Sequence, residues 1–142
     1  MMTRTVPAAL DQLDEVQGFV DEMLAGISCD PSVVLTLQIA VEEIFVNIAS
    51  YAYAPETGKA EIRCEVKPEI PRITLQFRDW GIPFNPLARK EADITLSAEE
   101  RDIGGLGIYM VKNSMDHVSY AYEDGQNILT IQKNLQSDSI ED

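Results

Sequence analysis

Three short stretches carry residues whose types and spacing suit chemistry. In Val41-Glu42-Glu43-Ile44-Phe45-Val46-Asn47, Glu43 and Asn47 are four residues apart. On a helix they share one face, while Glu42 turns to the far side. An asparagine oxygen can coordinate a hard cation such as Mg²⁺, and a carboxylate one turn earlier can orient or deprotonate a hydroxyl or a water. The second stretch is Arg78-Asp79-Trp80-Gly81-Ile82-Pro83-Phe84-Asn85-Pro86. Its Asp79 carboxylate can accept a hydrogen bond from an exocyclic amino group such as that of adenine, and Gly81 lets a flat ring approach the backbone. The third is Gly104-Gly105-Leu106-Gly107, running into the apolar positions Ile108, Val111 and Met115. Converging glycine amides at a helix start, with the positive end of its dipole, form a cradle for phosphates. Taken singly, each stretch has an ordinary explanation: a solvated helix face, a strand-ending turn, a glycine-rich helix start. The third matches neither the P-loop pattern nor the dinucleotide fingerprint.

The elements that must position these residues follow from periodicity. After a short segment at residues 3–6, Leu10, Leu13, Val16, Val20, Met23, Leu24 and Ile27 recur at helical spacing and predict an amphipathic first helix. Asp30-Pro31 announces a second, running to about Tyr51, with a core stripe of Leu37, Val41, Ile44 and Ile48. The period then changes to two. Ala60, Ile62, Cys64 and Val66 alternate with polar residues, as do Ile73, Leu75 and Phe77, which predicts two strands separated by a proline-containing turn. Residues 81–107 dissolve into proline, glycine and charge, a length more typical of lids and binding loops than of plain connectors. A short helix at about residues 106–115 follows, then two strands at 118–122 and 127–133 joined around Asp124-Gly125, a hairpin signal. This order predicts an α+β fold: a two-layer α/β sandwich with a mixed or antiparallel sheet and helices on one face. Residues 1–135 are expected to form one domain, and the acidic residues 136–142 a disordered tail.

Composition narrows the classes. The 142 residues are 45% apolar, enough for one layered core, and no run approaches the roughly 20 uninterrupted apolar residues of a membrane helix. Residues 1–10 lack the pattern of a secretory signal, so a cytoplasmic protein without a membrane partner is expected. Cys29 and Cys64 fall in different elements without a metal-binding spacing and are expected to be reduced thiols. A net charge of −13 argues against direct nucleic-acid binding and favours a partner with a basic face. A nucleotide in such a field must be held by local backbone dipoles and a bound cation.

The three stretches occur in order as helix, strand-end turn and loop-to-helix, and each supplies a different part of one ligand: cation, base and phosphates. In that order and context the chain resembles the GHKL ATPase fold of gyrases, chaperones and histidine kinases. Within that fold it is most similar to the small anti-sigma-factor serine/threonine kinases of bacterial partner-switching systems. The resemblance covers residues 3–135. It implies ATP and Mg²⁺ as cofactors, with Asn47 in the place of the magnesium ligand and Glu43 in that of the general base. Asp79 matches the adenine-binding aspartate and Gly81 its companion, while Gly105, Leu106 and Gly107 match the phosphate loop. It also implies phosphorylation of a small antagonist protein, sequestration of a sigma factor, and a homodimer through the sheet face.

Two positions depart from the pattern. Ile103 stands where many such kinases carry a basic residue suited to the terminal phosphate, and Tyr51 where several relatives have histidine. Arg101 is the nearest cation to Ile103, with Lys112 one turn into the helix. Because the first departure touches phosphate transfer rather than binding, the alternative expectation is a nucleotide-gated regulatory module that transfers no phosphate. A third is a detached subunit of a larger GHKL ATPase. His117, the sole histidine, lacks the context of a phosphoacceptor on a dimerising helix. Trp80 is expected as partial core, with stacking on the base as the alternative. Tyr120 and Tyr122, on one side of a strand, are expected at the sheet surface or an interface.

Overall fold

A computed structural model describes residues 1–53, 56–88 and 105–136. Arg101, Ile103 and Gly104 lie outside the described residues, as do most of the 81–107 loop and the tail beyond residue 136. The described chain forms β1 (Met2–Pro7), a 3-10 turn (Leu10–Gln12), α1 (Leu13–Leu24), α2 (Pro31–Asn47) and a π-helical turn (Ile48–Ala52). Then come β2 (Lys59–Lys67), β3 (Arg72–Asp79), a second 3-10 turn (Pro86–Ala88), α3 (Gly105–Ser114), β4 (His117–Glu123) and β5 (Gln126–Asn134).

The five strands form one sheet in the order β1-β2-β3-β5-β4, and every pairing is antiparallel. The expected α+β sandwich is therefore present, with the sheet antiparallel rather than mixed. The alternation of β2 and β3 sets the register. Cys64 stands opposite Leu75 and Ile62 opposite Phe77, while across β5 Leu75 meets Ile131 and Phe77 meets Leu129. All of these side chains are buried. A slip of one residue would turn the whole set to the other face, so the hydrophobic pattern fixes the pairing. At the β4–β5 turn Asp124 and Gly125 both have positive φ, 54° and 77°, which suits the tight hairpin their sequence announced.

The inner face is covered by helices. Val16, Phe19 and Val20 of α1 and Val33, Leu37, Val41, Ile44 and Phe45 of α2 join the strand residues in one core. The helix from Pro31 to Ala52 has a mean hydropathy of 1.6, long and apolar enough by composition to cross a membrane. Part of that hydropathy is the stripe buried against the sheet, while Leu35 and Ile39 on the same helix are exposed. Leu135, fully buried, ties the ends of the two layers: its N–H donates to Pro71 O at 2.7 Å, and its carbonyl accepts the Asp30 N–H at 3.0 Å, just before α2.

The outer face of the sheet is polar. The strand alternation that buries Ile62 and Leu75 turns Glu61, Arg63, Glu65 and Lys67 of β2, with Arg72 and Arg78 of β3, outward. Arg78 there bonds Gln76 and Gln126. Both thiols are free, and burial pushes the Cys64 thiol up to about 12. Replacing Leu75, which is 0% exposed at the centre of the sheet, with alanine is expected to lower unfolding free energy by about 2–5 kcal/mol in urea titration.

Candidate functional site

The inner-face ladder does not stay apolar to its end. Where β3 and β5 finish, the register places Asp79 directly opposite Asn127, both on the face that carries Phe77 and Leu129. They are the two buried polar side chains among the described residues, 5% and 7% exposed. A buried carboxylate must be hydrogen-bonded, and this one takes two bonds on the same oxygen. Asp79 Oδ1 accepts from the Gly81 N–H and from Asn127 Nδ2, each at 2.9 Å. Among the described residues, Oδ2 takes none. Burial pushes the Asp79 carboxyl above its ordinary value, and the bonds from Asn127 and Gly81 pull it back down.

Asp79 lines a cavity of about 230 Å³. Its apolar wall is made by Ile44, Ile48, Phe77, Ile82, Ile108 and Leu129, and Asn47 faces it from α2. Two of the three stretches with chemical potential thus meet in one cleft, and the third reaches it through Ile108, the residue after Gly107. Glu43 is half-buried on α2, one turn before Asn47, but is not among the cavity-lining residues. Gly105, Leu106 and Gly107 form the first turn of α3 rather than a loop in front of it. Their amides are those a helix start leaves unpaired. No cluster of three or more His, Cys, Asp or Glu suited to a metal occurs among the described residues.

The two walls are held together by the turn that ends α2. Ile82 donates its N–H to Ala52 O at 3.1 Å. Gly81 lies so close to the same carbonyl that a Cβ there would overlap the oxygen. This is the constraint on Gly81, additional to the ring approach expected from sequence. Tyr53 adds a second tie: its hydroxyl accepts the Trp80 N–H at 2.8 Å and donates to Lys59 O at 2.5 Å. Gly58 is held to glycine by the Tyr53 ring, which occupies the place of a Cβ.

Several residues differ from expectation. Trp80 is 45% exposed and does not line the cavity, so it is neither core nor a stacking platform there. Strand alternation turns it away from the face Asp79 occupies, and among the described residues its backbone, not its ring, does the bonding. Tyr120 is not a surface residue alone: it lines the cavity, and its hydroxyl donates to Asn127 Oδ1. Tyr122 is exposed, as expected, and His117 lies exposed at the start of β4. Asn127, Tyr53 and Gly58 carried no motif signal. Only the register, which sets residue 127 opposite residue 79, reveals the first of them.

Comparison with known proteins gives a consistent picture. Residues 6–133 match the family model described as the histidine kinase-like ATPase domain. The chain is 30% identical over 97 residues to the serine-protein kinase RsbW of Listeria monocytogenes, an alignment covering 66% of this chain and 61% of that protein. It is 27% identical over 96 residues to the serine/threonine-protein kinase BtrW of Bordetella bronchiseptica, covering 68% and 67%. The chain therefore spans about three fifths of the length of the Listeria relative it matches.

Substituting Gly81 with alanine is expected to destabilise the protein by about 1–3 kcal/mol, because the fixed helix-end carbonyl of Ala52 must move to admit the methyl group. Thermal and urea melts of the variant check this. An unchanged melt would show that the turn at Ala52 yields freely.

Proposed function

The chain belongs to the histidine kinase-like ATPase domain family, and from that membership we propose that it binds ATP with Mg²⁺ and transfers phosphate to a serine or threonine of a small antagonist protein. The observation that supports the reading is the convergence of Asn47, Asp79 and Ile108, from three separated segments, on one cavity. The names of RsbW and BtrW support the kinase part of the proposal; sequestration of a sigma factor and a cytoplasmic location are part of the same proposal and rest on the sequence resemblance.

The residues present fit such a ligand. Asp79 Oδ2, unbonded among the described residues, is an acceptor in a mainly apolar cleft, suited to an exocyclic amino group. Asn47 offers one hard oxygen. Mg²⁺ keeps waters and takes its other oxygens from phosphates, so a single protein ligand without a carboxylate cluster suffices. When bound, Mg·ATP supplies the transferable terminal phosphoryl group. In the proposed mechanism Asp79 and Gly81 position the base, Asn47 holds the cation, and the amides of Gly105, Leu106 and Gly107 hold phosphate oxygens. Glu43 takes the proton of the substrate hydroxyl as its oxygen bonds to the terminal phosphorus and the bond to the ADP oxygen breaks. Arg101 is proposed to assist at the terminal phosphate. The outward face, with both charge signs on β2 and β3, is proposed as the surface for self-association, since a two-fold axis can set each sign against its opposite.

A second reading, nucleotide-gated partner binding without transfer, has one observation in its favour: Glu43 does not line the cavity. Incubation with labelled ATP and the cognate antagonist separates the two. Phosphoserine or phosphothreonine on the antagonist supports transfer, and stoichiometric binding with no phosphorylated residue removes it. Asn47→Ala is expected to abolish Mg²⁺-dependent ATP binding, and Glu43→Ala to keep binding while lowering transfer at least about 100-fold.

Asp79→Asn tests the base end. Asparagine keeps an acceptor for Gly81 and Asn127 but turns a donor toward the cleft. Because burial disfavours the charged carboxylate, the variant is expected to melt no lower than the parent while its ATP affinity falls about 10- to 100-fold by calorimetry. Unchanged affinity would mean that the base binds elsewhere.

A further inference from the structure

The side chain of Asn127 uses its whole hydrogen-bonding capacity. Nδ2 donates to Asp79 Oδ1 at 2.9 Å and to Ile82 O at 2.8 Å. Oδ1 accepts from the Phe84 N–H at 3.0 Å and from the Tyr120 hydroxyl. Two donors and two acceptor sites are all an asparagine amide has. The orientation is also fixed, because a flipped amide would set its oxygen against the Asp79 carboxylate and the Ile82 carbonyl, and its NH₂ against the Phe84 N–H. One buried side chain thus joins the end of β3, the backbone at residues 82–84 and the inner face of β4.

The consequence falls on Asp79. With Oδ1 occupied by Asn127 and Gly81, Oδ2 is the carboxylate oxygen left open among the described residues for a ligand in the cavity that Asp79 lines. An ionised Oδ2 is purely an acceptor, whereas a protonated one is a donor. A purine with a 6-amino group offers a donor at that edge, and a purine with a 6-oxo group offers an acceptor. The two protonation states of Asp79 therefore select opposite bases.

We propose that Asn127 is the positioning residue that makes this cleft discriminate the 6-position of a purine, by holding Asp79 so that a lone acceptor oxygen faces the ligand. The proposal rests on the nucleotide reading above and deepens it. Asp79 has no ion pair among the described residues to keep it charged. The Asp79 charge acts in turn on the phenols of Tyr53 and Tyr120, each pushed above its ordinary value mainly by burial. Arg78, its chain neighbour, is engaged with Gln76 and Gln126 on the opposite face. What opposes the desolvation of Asp79 is the pair of donors from Asn127 and Gly81. Removing the Asn127 donor shifts the carboxyl toward protonation, and with it the base preference.

The test compares ATP with ITP, which differ at the 6-position and share the triphosphate. Their affinity ratio, measured by calorimetry with Mg²⁺ from pH 4.5 to 8, cancels titration of the phosphates. In the parent protein ATP is expected to be favoured at neutral pH, with the preference fading only at the acid end. In Asn127→Ala that fading is expected to move up by about one pH unit, the size of one charge-assisted hydrogen bond. In Asn127→Asp, a near-isostere that keeps the acceptor for Phe84 and Tyr120 but faces Asp79 with a second carboxylate, it is expected to move further in the same direction. Melting curves establish that the variants fold. If the alanine variant does not, the isosteric aspartate variant decides. An ATP:ITP profile unchanged from the parent in the folded variants, even with both affinities reduced alike, overturns the proposal and leaves Asn127 a purely structural clamp. Failure of the parent protein to bind ATP at all would instead overturn the nucleotide reading beneath it.

Discussion

The cleft depends on one requirement: a carboxylate on the inner face of a sheet, with no cation paired to it among the described residues, must find hydrogen bonds. Asp79 occupies a position that the alternation of β3 assigns to the core. Leaving its charge unsatisfied there would cost several kcal/mol. Three features meet the requirement together. The β3–β5 register brings Asn127 opposite it, the chain turns at Gly81 so that an amide reaches back to Oδ1, and the 82–84 backbone folds over to bond the far side of the same asparagine. None of these works alone. If the register slipped by one residue, Asn127 would point to the outer face and Asp79 would lose the donor that lowers the cost of its charge.

The same requirement explains why the turn ending α2 is shaped as it is. Widening to a π-helical turn brings Ala52 O to the Ile82 N–H, and Gly81 packs directly on that carbonyl. π-Helical turns recur at functional sites because they redirect backbone groups that a regular helix would keep paired. Here the redirected group belongs to the helix that also presents Asn47. The side chain proposed to hold the cation and the turn proposed to hold the base are therefore positioned by one contact, and their separation is set by backbone packing rather than by flexible side chains. Tyr53 reinforces this spacing from behind through Trp80 and Lys59.

These relations divide what the sequence could disclose from what it could not. The alternation of Ala60 to Val66 and of Ile73 to Phe77, the Asp124-Gly125 hairpin and the apolar stripe of α2 are local patterns, and each became the element it announced. β1 was not assigned as a strand, because six residues ending in proline acquire strand character only from pairing with the edge of β2. Asn127 read as an ordinary strand residue, since nothing nearby in sequence marks it. Its partner lies 48 residues away, and long-range pairing leaves no periodicity to detect. Asp79 and Gly81 were legible because turn chemistry marked their place, although the Ala52 carbonyl that constrains Gly81 was not.

The two ends of the cleft face different physical problems. At the proposed base end the ligand is neutral, and recognition would rest on geometry: one oxygen free among the described residues, a fixed amide behind it and largely apolar walls. At the phosphate end a polyanion must enter a chain of net charge −13. Screening leaves that field weak beyond about 10 Å, so the short-range donors of the first turn of α3 and a cation at Asn47 can overcome it locally. In the proposed complex, adenine selectivity therefore rests on buried hydrogen bonds that salt barely touches, whereas affinity for the triphosphate rests on exposed dipoles and counter-ions. A partner that brings a basic surface to the rim would strengthen the second without altering the first. On the proposed reading, partner binding would regulate how tightly the nucleotide is held while the identity of its base remains fixed by Asp79 and Asn127.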